Sequence, residues 1–309
     1  MLPDKLPALG FGTSNLLHHG SKQRAIRTLQ YAFEHGLTYF DTAPIYGYGW
    51  SEKILGHFTS EKRHELTLTT KVGLTPGKIL SRMPFWMLHS LRNVAKAIHS
   101  SPKGQIPSGV MKTDEHHPDL FLARQSLEKS LRNLRTDHVD ILLLHEANTE
   151  YANRDDVLRM MEDFLTSGKT IKVGLGSAPT ALTNLATLHP LYSVVQTTFS
   201  LTNPLANSSP GRLTNVYGIR TVARDLMVLG KQDEIKELIL GSCGLSMDDE
   251  DDAMKLAFSG AYYQNTGGMT IFSSTQHDHI RDSINTWNHI PISKVQFQSV
   301  LDILKRQAA

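Results

Sequence analysis

Short apolar runs alternate along the chain with longer stretches in which apolar residues recur every three or four positions. The short runs are Ala8–Gly12, Thr38–Asp41, Leu66–Lys71, Val139–His145, Ile171–Gly176, Ser193–Thr197, Ile219–Val222 and Met269–Phe272. Several lack strict apolar–polar alternation, which predicts strands buried on both faces. Between them, Ala25, Ile26, Leu29, Ala32 and Phe33 share a helical face, and Gly36 is placed to end that helix. Leu120, Leu127, Leu131 and Leu134 follow Asp119, while Val157, Met160, Met161, Phe164 and Leu165 follow Asp155 and Asp156. Ile280, Ile284 and Trp287 lie behind Ser274 and Thr275. Strand–helix alternation implies parallel strands joined by right-handed crossovers. Eight such units in 309 residues predict an α/β fold, a (β/α)8 TIM barrel forming one domain over 1–309.

Two regions exceed what a barrel needs. The third βα loop, Gly73–Pro118, is far longer than the usual two to six residues and carries the apolar cluster Met83-Pro84-Phe85-Trp86-Met87-Leu88. A βα loop sits at the face where barrel active sites are built, so Trp86 and its neighbours are expected to wall a substrate pocket. The other is Pro291–Ala309, read as a C-terminal tail helix. The acidic run Asp248–Asp252 is read as a solvated loop leading into a helix at Ala253–Tyr263.

Composition narrows the class. Hydrophobic residues at 40% and charged residues at 20% support a large core. A net charge of +2 argues against a general nucleic-acid binder. The single cysteine, Cys243, excludes an intramolecular disulfide and any multi-cysteine metal site. No apolar run approaches a membrane span, and no basic stretch followed by an apolar segment opens the chain. The expectation is a cytoplasmic protein with no membrane partner. The His18-His19 and His116-His117 pairs are read as loop polar residues rather than metal ligands.

Candidate chemistry gathers at strand ends. Asp41, Lys71 and His145 each lie at the C-terminal end of a predicted strand, and Tyr46 follows Asp41 closely. A phenol titrates near pH ~10 and exchanges its proton poorly at neutrality. A lysine cation favours tyrosinate, an aspartate fixes the lysine, and a histidine can orient a carbonyl oxygen. That set suits carbonyl reduction or alcohol oxidation. None of the four can carry a hydride, so an external donor is required.

These residues stand in recognisable strings. Leu9-Gly10-Phe11-Gly12-Thr13, the run from Phe40-Asp41-Thr42-Ala43-Pro44-Ile45-Tyr46-Gly47 to Ser51-Glu52-Lys53-Ile54-Leu55-Gly56, Lys71-Val72-Gly73 and Val139–His145 together resemble the aldo-keto reductase superfamily. The resemblance implies a catalytic tetrad of Asp41, Tyr46, Lys71 and His145. It also implies a nicotinamide cofactor held without a Rossmann fold, and no G-x-G-x-x-G precedes a first helix. Cofactor contacts are expected at Gly12, Thr13 and Asp41, although the glycines themselves read as turn residues. Ser177 matches a residue that holds the carboxamide, while Ala178 lacks the amide often found beside it. Gln196 matches the family's carboxamide-binding glutamine. Arg224 suits stacking or pyrophosphate contact, or an ion pair with Asp225. Ser273, Ser274 and Thr275 suit an adenosine phosphate or a simple helix cap, and His279, Asp282 and Ser283 match the stretch that follows. The usual basic partners of a 2′-phosphate are replaced by Ser274, Thr275 and Gln276, so NADP(H) is favoured by family frequency and NAD(H) stays open. Tyr48 and Trp86 are the expected substrate-pocket residues. The implied activity is a nicotinamide-dependent oxidoreductase acting on a small-molecule carbonyl or alcohol. Alternatives are an NAD-linked sugar dehydrogenase of the same family, or a cofactor-binding regulatory subunit resembling potassium-channel β proteins.

Overall fold

The computed structural model describes residues 9–77, 79–90, 119–199, 213–219, 233–245, 250–265 and 267–308. Eight parallel strands close into a barrel in sequence order. They are β1 (Leu9–Gly12), β2 (Tyr39–Asp41), β3 (Thr67–Val72), β4 (Val139–His145), β5 (Thr170–Gly176), β6 (Val194–Thr198), β7 (Thr214–Gly218) and β8 (Met269–Phe272). The longer described helices are α1 (Lys22–Glu34), α2 (Trp50–Thr59), α3 (Leu120–Leu134), α4 (Asp155–Thr166), α5 (Asp233–Ser242), α6 (Glu250–Gln264), α7 (His277–Asn288) and α8 (Lys294–Ala308). No described helix is long and apolar enough to cross a membrane.

Two apolar layers hold the architecture. Tyr39, Ile141, Leu143, Val194, Val216, Met269 and Ile271 fill the barrel interior, contributed mostly by the even-numbered strands, as layered barrel packing requires. The second layer lies between strands and helices. Every residue of β3 and β4 is buried, which explains the missing alternation. The helices dock through the faces their spacing marked out. Val157, Met160, Met161 and Phe164 of α4 are buried, and Asp119 caps α3 by accepting the Leu122 N–H at 2.9 Å.

Two glycines permit close approaches that a side chain would block. A Cβ on Gly174 would stand 2.0 Å from the Val194 carbonyl, and one on Gly56 would stand 2.1 Å from that of Asn133. Gly56 therefore lets α2 lie directly against α3. Glu52, buried in the same seam, accepts hydrogen bonds from Thr70 Oγ1 at 2.9 Å and Asn133 Nδ2 at 3.1 Å. The Ser51–Gly56 part of the sequence motif thus serves the scaffold.

One strand lies elsewhere than expected. The seventh is Thr214–Gly218, ahead of the expected Ile219–Val222, of which 220–222 lie outside the described residues. Only Val216 and Tyr217 of β7 are buried, so its polar first half conceals it, and the β-branched Ile219 and Val222 just after it mislead. Most of the long loop, including His116 and His117, lies outside the described residues, as do Asp248 and Asp249.

Candidate active site

Parallel strands deliver their C-terminal residues to one rim, and the register sets how those residues meet. Asp41 pairs with Thr69, Lys71 with Leu143, His145 with Gly176, and Gly176 with Gln196. Lys71 Nζ donates to Asp41 Oδ1 at 2.7 Å and to the Thr42 carbonyl at 3.0 Å. Gln196 Nε2 donates to the same Asp41 Oδ1 at 3.0 Å. Lys71 Nζ also lies 4.9 Å from the centre of the Tyr46 ring. That ring stands edge-on to His145, with centroids 6.0 Å apart. All four residues expected to act together are therefore adjacent.

Local structure fixes them. The backbone N–H and hydroxyl of Thr13 both donate to the Asp41 carbonyl at 2.9 Å, and the Ser51 hydroxyl donates to the Thr13 carbonyl at 2.9 Å. These bonds tie β1, β2 and α2 at the rim. After Tyr46 the chain turns through three successive left-handed residues, Gly47, Tyr48 and Gly49, with φ of 54°, 55° and 91°. Glycine enters that region freely, whereas Tyr48 is strained there.

The electrostatics follow from burial. Asp41 and Lys71 are each 2% exposed. Burial opposes the lysine charge, but Asp41 and Tyr46 outweigh it and hold the Lys71 pKa above its ordinary value. Burial pushes the Tyr46 phenol up. Lys71 opposes that rise without cancelling it, and Asp41 and Glu146 add to it. The lysine thus acts in the expected direction, yet burial wins in this state. His145 is pushed down to about 3 by burial and by the Lys71 charge, so it is a neutral imidazole at physiological pH. Its Nδ1 and the Oε1 of Gln196 are buried without hydrogen-bond partners.

The other expected residues are distributed around the rim. Ser177 is buried, its hydroxyl donating to the Ala147 carbonyl at 2.8 Å. Ser273 accepts a bond from Asn15 Nδ2 at 3.1 Å. Ser274 accepts the Gln276 N–H at 3.1 Å, an arrangement that belongs to a local turn. The first turn of α7 has no side-chain cap. Asp282 is ion-paired with Arg281 at 3.2 Å, and His279 is exposed. Gly12 lies at the end of β1 and pairs with Asp41. Arg224 lies outside the described residues. Tyr48 is half-buried against the core. Trp86 is 64% exposed, whereas its neighbour Phe85 is buried against Trp50 with ring centroids 5.9 Å apart. His19 is buried, and burial, His277 and Arg24 lower its pKa to about 4. Among the described residues no group of three or more His, Cys, Asp or Glu side chains could hold a metal ion.

Sequence reasoning missed Glu146. It directly follows His145, has a left-handed φ of 55°, and accepts the Ala178 N–H at 3.1 Å. Its position next to a candidate catalytic residue was the available signal. A charged groove bordered by Arg63, Glu128, Arg132, Arg135 and Lys169 lies at the opposite barrel face. There Arg63 pairs with Asp140 at 2.9 Å and Lys169 pairs with Glu128, which ties those charges to the scaffold.

Comparison with known proteins converges on the same architecture. The model of the aldo/keto reductase family matches residues 8–234. Among curated relatives, a D-threo-aldose 1-dehydrogenase of Pseudomonas sp is 30% identical over 155 residues, covering 46% of this chain and 40% of that protein. The matches span less than half the length of this and other curated relatives. Among solved structures, the holo form of an aldo-keto reductase from Bacillus halodurans superposes with a TM-score of 0.68 at 19% identity, covering 96% of this chain and 91% of that one. An aldo-keto reductase from Klebsiella pneumoniae in complex with NADPH gives a TM-score of 0.64 at 18% identity, covering 98% and 91%.

Proposed function

The chain belongs to the aldo/keto reductase family, and from that premise we propose that it interconverts a carbonyl and an alcohol on a small molecule with a nicotinamide cofactor. The observation that carries this reading is the buried Lys71–Asp41 pair at 2.7 Å, with Lys71 Nζ over the Tyr46 ring. Tyr46 donates its hydroxyl proton to the carbonyl oxygen in reduction and recovers it in oxidation. Lys71 stabilises the tyrosinate left behind, and Asp41 keeps the ammonium in place. Neutral His145 offers a hydrogen bond to the same oxygen. A nicotinamide held here would supply the hydride that no side chain at the site can carry.

The residues present fit that cofactor. Gln196 Oε1 is buried and lacks a partner, as an acceptor awaiting a carboxamide N–H would, and Ser177 stands beside it in the next strand end. Gly12, Thr13, Ser273, Ser274, Thr275, His279, Asp282, Ser283 and Arg224 complete the proposed cofactor path. Tyr48 and Trp86 are proposed to border substrate. NADP(H) is the favoured cofactor, with NAD(H) second because Ser274, Thr275 and Gln276 bring no cation. A cytoplasmic setting is part of the same reading. The similarity to the Pseudomonas sp D-threo-aldose 1-dehydrogenase favours one narrower version, in which the substrate is an aldose sugar.

Titration with NADPH and NADH, followed by a carbonyl and sugar panel, tests the proposal. Tyr46→Phe is expected to retain cofactor affinity and lose roughly 100-fold or more of kcat, the scale of general acid catalysis. Near-native kcat in that variant would overturn the assignment of Tyr46.

A further inference from the structure

The turn that follows Tyr46 is strained and needs support from outside itself. Gly47, Tyr48 and Gly49 all take left-handed φ values, a region that disfavours the Tyr48 side chain. Backbone of this kind persists where its surroundings over-determine it. Within the turn, the Tyr46 N–H donates to the Ala43 carbonyl at 3.0 Å and the Tyr48 N–H to that of Ile45 at 3.1 Å. The residue that closes the turn is Trp50, whose backbone N–H donates to the carbonyls of Tyr46 and Gly47.

The Trp50 side chain reaches a different part of the chain. Its indole Nε1 donates to the Met83 carbonyl at 3.0 Å, and its ring meets Phe85 edge-on. Lys22 Nζ, at the start of α1, and Lys53 Nζ, one turn along α2, lie 4.1 and 4.3 Å from the ring centre, contacts that favour one placement of the indole. Phe85 and Leu88 are buried, and His89 Nδ1 donates to the Leu17 carbonyl at 3.1 Å. The 79–90 part of the third βα loop is thus seated on the segments that follow β1 and β2. Apolar packing sets how closely that part lies. A hydrogen bond to one carbonyl also sets its direction and register.

We propose that Trp50 is a positioning residue for the reaction, coupling the seat of the third βα loop at Met83 to the place of Tyr46 beside Lys71 and His145. This rests on the carbonyl–alcohol reading of Tyr46. The backbone of Trp50 is bonded to the catalytic turn and its indole to the loop, so a shift of the loop moves Trp50 and, through it, the Tyr46 carbonyl. The Tyr46 ring centre stands 4.9 Å from Lys71 Nζ and 6.0 Å from that of His145, spacings that a displaced turn would not keep. A misplacement of about 1 Å at a reacting group can cost roughly 100-fold in rate. A cofactor held by the other strand ends would bind as before.

Trp50→Phe keeps a ring and removes the indole N–H. Glyceraldehyde and benzaldehyde serve as probes, with the tighter-binding of NADPH and NADH as reductant. The variant should lose about tenfold in kcat with both aldehydes, at a KM within about threefold of native and an unchanged Kd for the nicotinamide. Rates are expressed per nicotinamide-binding site, so unfolded protein does not count. Phe85→Leu loosens the same seat from the loop side and should reproduce the pattern. In the double variant the two losses should not multiply, because both act through one link. Native kcat per binding site in both single variants, with only a lower Tm, would reduce Trp50 to packing and overturn the proposal while leaving the assignment of Tyr46 standing. Losses that multiply in the double variant would overturn it as well. Absence of turnover by the native protein across the carbonyl and sugar panel would instead overturn the carbonyl reading, and this proposal with it.

Discussion

Replacing Lys71 with methionine tests the electrostatic core of the site. The change keeps most of the side-chain volume and deletes one charge of a pair whose members are each 3% exposed at the side chain. At 2.7 Å and an effective dielectric of about 20, the Coulomb attraction is roughly 6 kcal/mol. Desolvation of the two ions consumes several kcal/mol each, so the pair as a whole is close to neutral in stability. The single substitution is different, because it leaves the Asp41 carboxylate buried with only hydrogen bonds for support. Loss of one partner in such a pair costs about 3–5 kcal/mol. Lys71→Met should therefore lower the free energy of unfolding in urea by that amount. Adding Asp41→Asn should recover most of it, since the uncompensated charge then disappears. The surviving activity of Lys71→Met should also fall most near neutral pH, because Lys71 is the group that opposes the burial-driven rise of Tyr46. A Lys71→Met protein within about 1 kcal/mol of native stability would refute the reasoning. So would a double variant no more stable than the single one.

Two further outcomes follow from burial and packing. His145 has a folded pKa of about 3 against roughly 6.5 unfolded, so the unfolded chain binds the extra proton between those values. Its contribution is complete above about pH 6.5 and is lost as pH falls toward 3, at roughly 1.4 kcal/mol per unit. His145→Gln should flatten the measured slope of unfolding free energy between pH 6 and 4, and an unaltered slope would contradict the burial argument. Gly56→Ala should lower Tm despite the better helix propensity of alanine, because the added Cβ meets the Asn133 carbonyl at 2.1 Å and overpacking of this kind costs about 1–3 kcal/mol. A rise in Tm would show that α2 and α3 can separate freely.

The barrel was legible because burial on both faces leaves a plain signature. The runs Val139–His145 and Met269–Phe272 coincide with β4 and β8. The seventh strand was not, since Thr214 and Asn215 are polar and only partly buried, while Ile219–Val222 begins and ends on β-branched apolar residues. Asp41, Tyr46, Lys71 and His145 could be read from their places at strand ends, and the register brings them together. Two things stayed hidden. The net rise of the Tyr46 pKa depends on how tightly the protein closes around it, which spacing does not encode. The left-handed backbone of Glu146 arises from a bond to Gly176, a partner thirty residues away. The same limit applies to Trp86, whose apolarity suggested packing although the packed residue is Phe85.

The Asp41 carboxylate joins opposite walls of the barrel through one atom. Oδ1 accepts from Lys71 on the neighbouring strand and from Gln196 across the lumen. Two donors on one acceptor compete, so a change in the orientation or polarity of one is felt by the other. Gln196 keeps its remaining oxygen unpartnered, and whatever binds there polarises its amide and strengthens its claim on Oδ1. Lys71 and Gln196 thus share one acceptor, and the placement of each is tied to that of the other across the width of the barrel.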